Sequence, residues 1–137
     1  MPTDFPTIVR DLRARRAAST ANWFDGTVHE LELYDPAGQG GSMIWAVWFE
    51  PGSRAKPHIH EFDQTLHVVE GEGVLATEAG ARRLVVGDWV TIPRGVWHWH
   101  GATPDRGMCH VTIQLGGTSH WDVERRDFDA YAVGEPR

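Results

Sequence analysis

Two histidines separated by one residue begin the stretch HIHEFDQ at residues 58–64, and a glutamine ends it. A second pair with the same spacing, His98 and His100, lies in the stretch WHWHGA. On a β-strand, residues i and i+2 point to the same face. If both stretches are strands, His58 and His60 share a face, and so do the later two histidines. This concentration of imidazoles indicates a metal site.

A third stretch, MCHVTIQ, places His110, Thr112 and Gln114 on one face by the same alternation. Polar groups of this kind would be costly inside a barrel without partners, and a metal with a hydrated pocket would remove that cost. We therefore interpret the His-x-His pair, Gln64 and His98 as metal ligands. Three further histidines are interpreted as surface or hydrogen-bonded residues: His29, His67 and His120.

The predicted donor set determines the chemistry of the metal. Imidazole binds Fe, Mn, Co, Ni, Cu and Zn, and an amide oxygen is a weaker and harder ligand. Because these donors are neutral, they would leave the cation a strong Lewis acid with open positions that favour an anionic or ionisable ligand.

The elements around these residues read as strands. From Asn22 onward, short runs rich in Val, Ile, Trp, Phe and Thr alternate with Gly, Pro and Asp turns, which predicts an all-β sandwich or barrel. Separate strands are expected for QTLHVVEG and GVLATEAG, with a turn at Gly71 to Gly73. Residues 7–18 predict a short, loosely docked helix, and the chain after Ser119 predicts a polar tail with one helical turn.

The 137 residues fit one compact domain, and we expect an N-terminal extension over 1–21 followed by a single domain over 22–137. The net charge of −6 excludes a general attraction to nucleic acid or an anionic membrane. The single cysteine, Cys109, excludes an internal disulfide and fits a reducing compartment. With no apolar run long enough to span a bilayer and no secretory signal, we expect a cytoplasmic protein.

Two motifs carry a family resemblance. The stretch PGSRAKPHIHEFDQTLHVVEGEG resembles the first cupin motif, G-x5-H-x-H-x3,4-E-x6-G, with Gln64 in place of the usual glutamate. The stretch GDWVTIPRGVWHWHGA resembles the second, G-x5-P-x-G-x2-H-x3-N, with Ala102 in place of the closing asparagine. The resemblance implies a double-stranded β-helix, that is, a jelly-roll barrel, commonly as a homodimer. The ligands it implies are His58, His60, Gln64 and His98.

The chain is also similar to small single-domain bacterial cupins with a three-histidine, one-glutamine metal site. Some of these are manganese- or iron-dependent hydroxynitrile lyases, and in them a histidine at the position of His110 acts as the base. Gln114 matches a pocket-lining glutamine. Those lyases carry small residues on the strand where this chain has Trp45 and Val47. A bulky indole there changes what fits in the pocket.

We expect one divalent transition metal, with Mn or Fe favoured and Zn, Ni, Co or Cu as alternatives, acting as a Lewis acid on a small oxygenated substrate. His110 is the predicted general base, or alternatively a hydrogen-bond partner that fixes a ligand histidine. His100 is expected to assist or to orient the substrate, or to hydrogen-bond at the rim. Trp45 and Phe49, which share a strand face, are predicted pocket walls.

Three functions remain open at this point. The first is a lyase or isomerase of the hydroxynitrile-lyase kind. The second is a dioxygenase that activates O2 at the same metal. The third is a non-catalytic cupin that binds a small ligand. A carbohydrate-type substrate also stays open, since the uronate-processing cupins use a glutamine ligand as well.

Overall fold

The protein is described from a computed structural model that covers residues 4–126 and residue 128. Among these residues, one short helix comes before the barrel, and twelve strands form the barrel. In chain order the elements are α1 (Leu12–Arg15), β1 (Ala17–Ala18), β2 (Phe24–Asp25), β3 (Val28–Tyr34), β4 (Ser42–Phe49), β5 (Arg54–Ala55), β6 (Ile59–His60), β7 (Gln64–Thr77), β8 (Gly80–Val85), β9 (Trp89–Ile92), β10 (His98–Ala102), β11 (Met108–Leu115) and β12 (Ser119–His120).

Ten of the described strands form one curled antiparallel sheet. Its order is β1-β3-β4-β11-β7-β10-β5-β2, and β8 and β9 also pair with β7. The remaining two strands, β6 and β12, pair with each other. The expected all-β jelly-roll fold is confirmed. In the described part of the chain, no helical segment combines the length and the apolar character that a bilayer crossing requires.

The longest strand, β7, links the two halves of the barrel. Its first half pairs with β11 and β9, and its second half pairs with β10 and β8. The predicted turn at Gly71 to Gly73 is wrong, because the chain continues through it as one strand with a bulge opposite Cys109 and His110. Gly71 has a φ of +72°, and a Cβ atom there would collide with the Gly107 carbonyl, so only glycine suits this position.

Side-chain alternation sorts the sheet into an inner and an outer face. The outer face carries a buried cluster of Ala46, Trp48 and Cys109, against which Leu12 of α1 packs. Cys109 therefore faces away from the barrel interior, and burial raises the pKa of its thiol to about 12. A thiol in this state is a poor nucleophile.

The N-terminal helix is shorter than the predicted span of residues 7–18. It begins after Asp11, whose φ of +54° is left-handed, and it ends at Arg16, which is extended. Ala17 and Ala18 then pair with β3. An isolated helix of this length has little stability of its own, and strand pairing is the better alternative for the two alanines.

The predicted polar tail after Ser119 is anchored on the barrel in its described residues, and no helix is present among them. Ser119 and His120 form β12 beside β6, and Phe128 is fully buried against the ring of Trp99. Trp97 donates its indole N–H to the Glu124 carbonyl oxygen at 2.6 Å. The segment therefore packs on the barrel, whereas residues 127 and 129–137 lie outside the described part of the chain.

Candidate metal centre

Three histidines from neighbouring segments of the chain lie close together in the fold. His58 and His98 face each other across an isolated β-bridge, and His60 lies on β6. One nitrogen atom from each ring lies within 4.8 Å of the others, which is the spacing of a group that could hold a metal ion. His58, His60 and His98, which were predicted as ligands from the sequence, thus lie close together.

Hydrogen bonds at the back of the rings orient two of the histidines. The Nδ1 atom of His58 lies 2.6 Å from the Lys56 carbonyl oxygen, and that of His98 lies 2.9 Å from the Val96 carbonyl oxygen. Because a carbonyl only accepts, Nδ1 carries the hydrogen in both rings and Nε2 presents a lone pair. Nε2 of His98 is buried and has no hydrogen-bond partner among the described residues. A metal ion would satisfy this atom, so the residues fit a metal.

Gln64 lies beside the triad with its amide held in one orientation. Its Nε2 group donates to Thr112 Oγ1 at 2.9 Å and to Gln114 Oε1 at 3.0 Å. Its own Oε1 atom therefore points towards the triad, 3.1 Å from His60 Nε2. This is the orientation that an amide oxygen ligand needs.

Burial keeps the triad neutral. Removal from water lowers the pKa of His98 to about 4 and lowers the pKa of His60 from its ordinary value. The pKa of His58 is well below its ordinary value, first because of burial and then because His98 and His60 are close. Neutral imidazoles offer lone pairs at neutral pH, as metal ligation requires.

The triad opens onto a cavity of about 420 Å³, a volume suited to a small organic molecule. All of the predicted site residues except His98 line this cavity. They are His58, His60, Gln64, His100, His110, Trp45, Val47, Phe49 and Gln114.

His110 and His100 lie beside the triad, on adjoining faces of the cavity. Their ring centroids are 5.1 Å apart, and the centroid of His100 is 5.7 Å from that of His58. Both ring nitrogens of His110 are buried and have no hydrogen-bond partner among the described residues. Burial lowers the pKa of His110 to about 4 and holds that of His100 well below its ordinary value. His110 is thus a neutral imidazole, and neither of its ring nitrogens is hydrogen-bonded to another described residue.

Several cavity residues were missed from the sequence, and four of them bear on the chemistry of the site: Trp23, Glu30, Ser119 and Trp121. Trp121 stacks on the His58 ring with centroids 4.1 Å apart, and Trp23 stacks on Trp121 at 5.4 Å. Ser119 Oγ lies 2.7 Å from His60 Nδ1. Glu30 points into the cavity from β3, because the leucines that alternate with it pack on the outer cluster. The Leu-Glu alternation was a usable signal for Glu30, but it normally marks the polar face as the solvent face.

The other histidines lie away from the triad. His67 stacks on Trp89 on the outer side of the sheet, with ring centroids 3.9 Å apart. His120 is exposed, 3.7 Å from a carboxylate oxygen of Glu61. His29 lies on β3 and is partly buried. His67 and His120 agree with their interpretation as surface or hydrogen-bonded residues, whereas Nδ1 of His29 is buried without a hydrogen-bond partner among the described residues.

Comparison with known proteins places this architecture in a family. The Cupin_2 family, described as a cupin domain, matches residues 45–122. A protein named (R)-mandelonitrile lyase from Granulicella tundricola is 43% identical over 98 residues, which cover 69% of this chain and 72% of the relative.

Solved structures are similar to this chain as well. A cupin-like protein from Thermotoga maritima has a TM-score of 0.79 and 32% identity, covering 92% of this chain and 100% of its own. A polyketide cyclase from Streptomyces resistomycificus shares the fold alone, with a TM-score of 0.74, 17% identity and coverage of 91% and 94%. On its motifs, its barrel and its histidine triad, this chain belongs to the cupin family.

Proposed function

We propose that this protein is a metal-dependent lyase that cleaves a neutral aromatic hydroxynitrile into an aldehyde and hydrogen cyanide. The observation that carries the proposal is His110, a neutral and buried imidazole with two unpartnered nitrogens at the wall of the cavity next to the triad. The similarity to a protein named (R)-mandelonitrile lyase supports the same reaction class.

His58, His60, His98 and Gln64 would hold the metal. When bound, the metal supplies a Lewis acid that polarises the substrate oxygen. The chain provides four neutral donors, so the full positive charge of the cation stays available to that oxygen.

His110 moves the proton. A neutral ring nitrogen of His110 accepts the hydroxyl proton of the hydroxynitrile, and the oxygen electrons form the carbonyl double bond. The bond between the carbinol carbon and the nitrile carbon breaks, and its electron pair leaves with cyanide. His110 then returns the proton to cyanide, which departs as hydrogen cyanide. The histidine ends in its starting state, so no other reactant is required.

The walls of the cavity favour a neutral, aromatic substrate. Trp45, Phe49 and Trp121 supply aromatic surface. Among the described residues, no lysine or arginine lines the cavity, and Glu30 is the one acidic residue that does. Glu30 forms no ion pair within the described part of the chain. A carboxylate substrate such as a uronate would find no cationic side chain among the described lining residues, and Glu30 would oppose its approach, so only the metal would attract it.

The test is cyanide release from mandelonitrile by protein loaded with Mn²⁺ or Fe²⁺. We expect turnover by the wild type, and we expect His110→Ala to keep its metal while losing about 10²- to 10⁴-fold in kcat, which is the usual contribution of a general base. His67→Ala removes a histidine on the outer face and serves as the matched control. No cyanide release by the metal-loaded wild type would overturn the lyase assignment. Full activity of His110→Ala would overturn the role of His110.

A further inference from the structure

One ligand histidine is held differently from the other two. His58 and His98 each place Nδ1 against a backbone carbonyl that lies two residues away in the chain. His60 instead places Nδ1 2.7 Å from the hydroxyl of Ser119, 59 residues away. A carbonyl can only accept a hydrogen bond, whereas a hydroxyl can donate or accept one. Only His60 therefore has a back-side partner that is compatible with either neutral tautomer.

The front of the same ring faces a second partner. His60 Nε2 lies 3.1 Å from Gln64 Oε1. The Gln64 amide cannot usefully flip, because its NH2 group already donates to Thr112 and Gln114. Without a cation, the contact between Nε2 and Oε1 is favourable only if Nε2 carries the hydrogen. Nδ1 then accepts, and the Ser119 hydroxyl must donate to it.

A bound metal reverses this arrangement. Nε2 and Oε1 would then both direct lone pairs at the cation, so the hydrogen of His60 must lie on Nδ1 and Ser119 Oγ must accept it. The ring releases the proton on Nε2 to solvent and takes up one from solvent at Nδ1, so its net protonation is unchanged. The Ser119 hydroxyl has only to rotate.

The surrounding contacts hold the ring still during this exchange. Ser119 is in register with His60 in the pairing of β12 and β6, and the Glu61 N–H donates to the Thr118 carbonyl oxygen at 3.0 Å. The ring of Phe62 stacks on His60 with centroids 4.5 Å apart. The change is therefore confined to hydrogens.

We propose that Ser119 is a positioning residue whose hydroxyl lets His60 change tautomer when the metal binds. His60 and Gln64 thereby stay hydrogen-bonded to each other in the metal-free protein and become available as ligands in the loaded protein. This inference rests on the metal centre of the proposed function, but it does not depend on the reaction.

The test uses ¹⁵N NMR of the histidine ring nitrogens in the full chain, before and after addition of Zn²⁺. We expect His60 to be the Nε2–H tautomer without metal and the Nδ1–H tautomer with zinc. His58 and His98 should be Nδ1–H in both states. A His60 ring that is Nδ1–H before zinc is added would overturn the proposal.

Zinc affinity provides the second readout. Ser119→Ala should weaken zinc binding about 10- to 100-fold, as loss of a hydrogen bond to a ligand histidine does. Ser119→Thr should restore it, because threonine keeps the hydroxyl. Thr118→Ala removes the hydroxyl of an exposed neighbour and is the matched control. Unchanged affinity in Ser119→Ala would overturn the role of Ser119 alone.

The outcomes separate this inference from the proposed function. A tautomer change in a protein that releases no cyanide would overturn the lyase and support the role of Ser119. Failure of the wild type to bind zinc would overturn the metal centre and this inference together.

Discussion

The indole ring of Trp121 lies flat on the imidazole ring of His58, with centroids 4.1 Å apart and an interplanar angle of 24°. Trp121 belongs to the C-terminal segment, and it also stacks on Trp23, with ring centroids 5.4 Å apart. Both indoles form part of the cavity wall, and Trp121 contacts a ring of the metal centre directly. A segment outside the main sheet thus completes the site.

Replacement of Trp121 by alanine should loosen His58. An aromatic stack contributes about 1 kcal/mol beyond buried area, which corresponds to roughly fivefold in affinity. We therefore expect zinc binding to weaken by roughly that factor, and KM for an aromatic substrate to rise. Zinc titration and steady-state kinetics measure the two effects. Trp89→Ala removes a similar stack on His67 outside the barrel. Equal losses in both variants would contradict a specific role for Trp121.

Metal binding should depend on His98 and should stabilise the fold. Metal at a hundredfold excess over its Kd adds about 2.7 kcal/mol to the free energy of unfolding. His98→Ala should lose stoichiometric metal, and zinc should no longer raise its Tm. Elemental analysis and thermal melts with and without a chelator check both points. His67→Ala should behave as the wild type, and full metal occupancy in His98→Ala would exclude His98 as a ligand.

Trp45 should limit the size of the substrate. Its indole lines the cavity on the same strand face as Val47 and Phe49, so Trp45→Ala enlarges the cavity. We expect kcat/KM to rise for the hydroxynitrile of a naphthaldehyde relative to mandelonitrile. An unchanged ratio of the two values would show that Trp45 does not restrict the pocket.

Glu30 should select against negative charge on the substrate. Removal of a like charge several ångströms away is worth about 1–2 kcal/mol in a partly screened site, or roughly 5- to 30-fold. Glu30→Gln should therefore improve kcat/KM for a carboxyl-substituted mandelonitrile by that factor, with little effect on mandelonitrile itself. Glu32→Gln is the control, since Glu32 is exposed on the same face of β3 but does not line the cavity. An equal gain in both variants would refute a local effect.

The metal-free protein should lose stability as the pH falls from about 6.5 to about 4. Burial lowers the pKa of His110 from 6.5 to about 4, so in this range the unfolded chain takes up a proton that the folded chain does not. Each such group lowers the free energy of unfolding by about 1.4 kcal/mol per pH unit. Urea titrations at a series of pH values measure this dependence. In His110→Phe, the free energy of unfolding should change less with pH, by about this amount per pH unit. Identical slopes would contradict a buried neutral His110.

Sequence reasoning reached the residues whose placement depends on local alternation. His58 and His60, or Trp45 and Phe49, share a face because they are an even number of residues apart on one strand. The contact of Ser119 with His60 spans 59 residues, and no local pattern reports it. The polar composition of the C-terminal segment also concealed its anchoring residues, Trp121 and Phe128.

The glycines near the middle of β7 led to a wrong prediction of a turn for a different reason. Gly71 and Gly73 look like turn residues, but here they admit close approach of a neighbouring backbone within a continuous strand. A single sequence does not distinguish a glycine that reverses the chain from one that relieves crowding.

The continuity of β7 determines how the site unfolds locally. This strand begins with Gln64, borders His110 through β11 and borders His98 through β10. Its amide hydrogens should accordingly exchange with deuterium as one cooperative unit, and ligand occupancy at one end should slow exchange along its whole length. The protein would then lose the metal ligands Gln64 and His98 and the general base His110 in the same opening event.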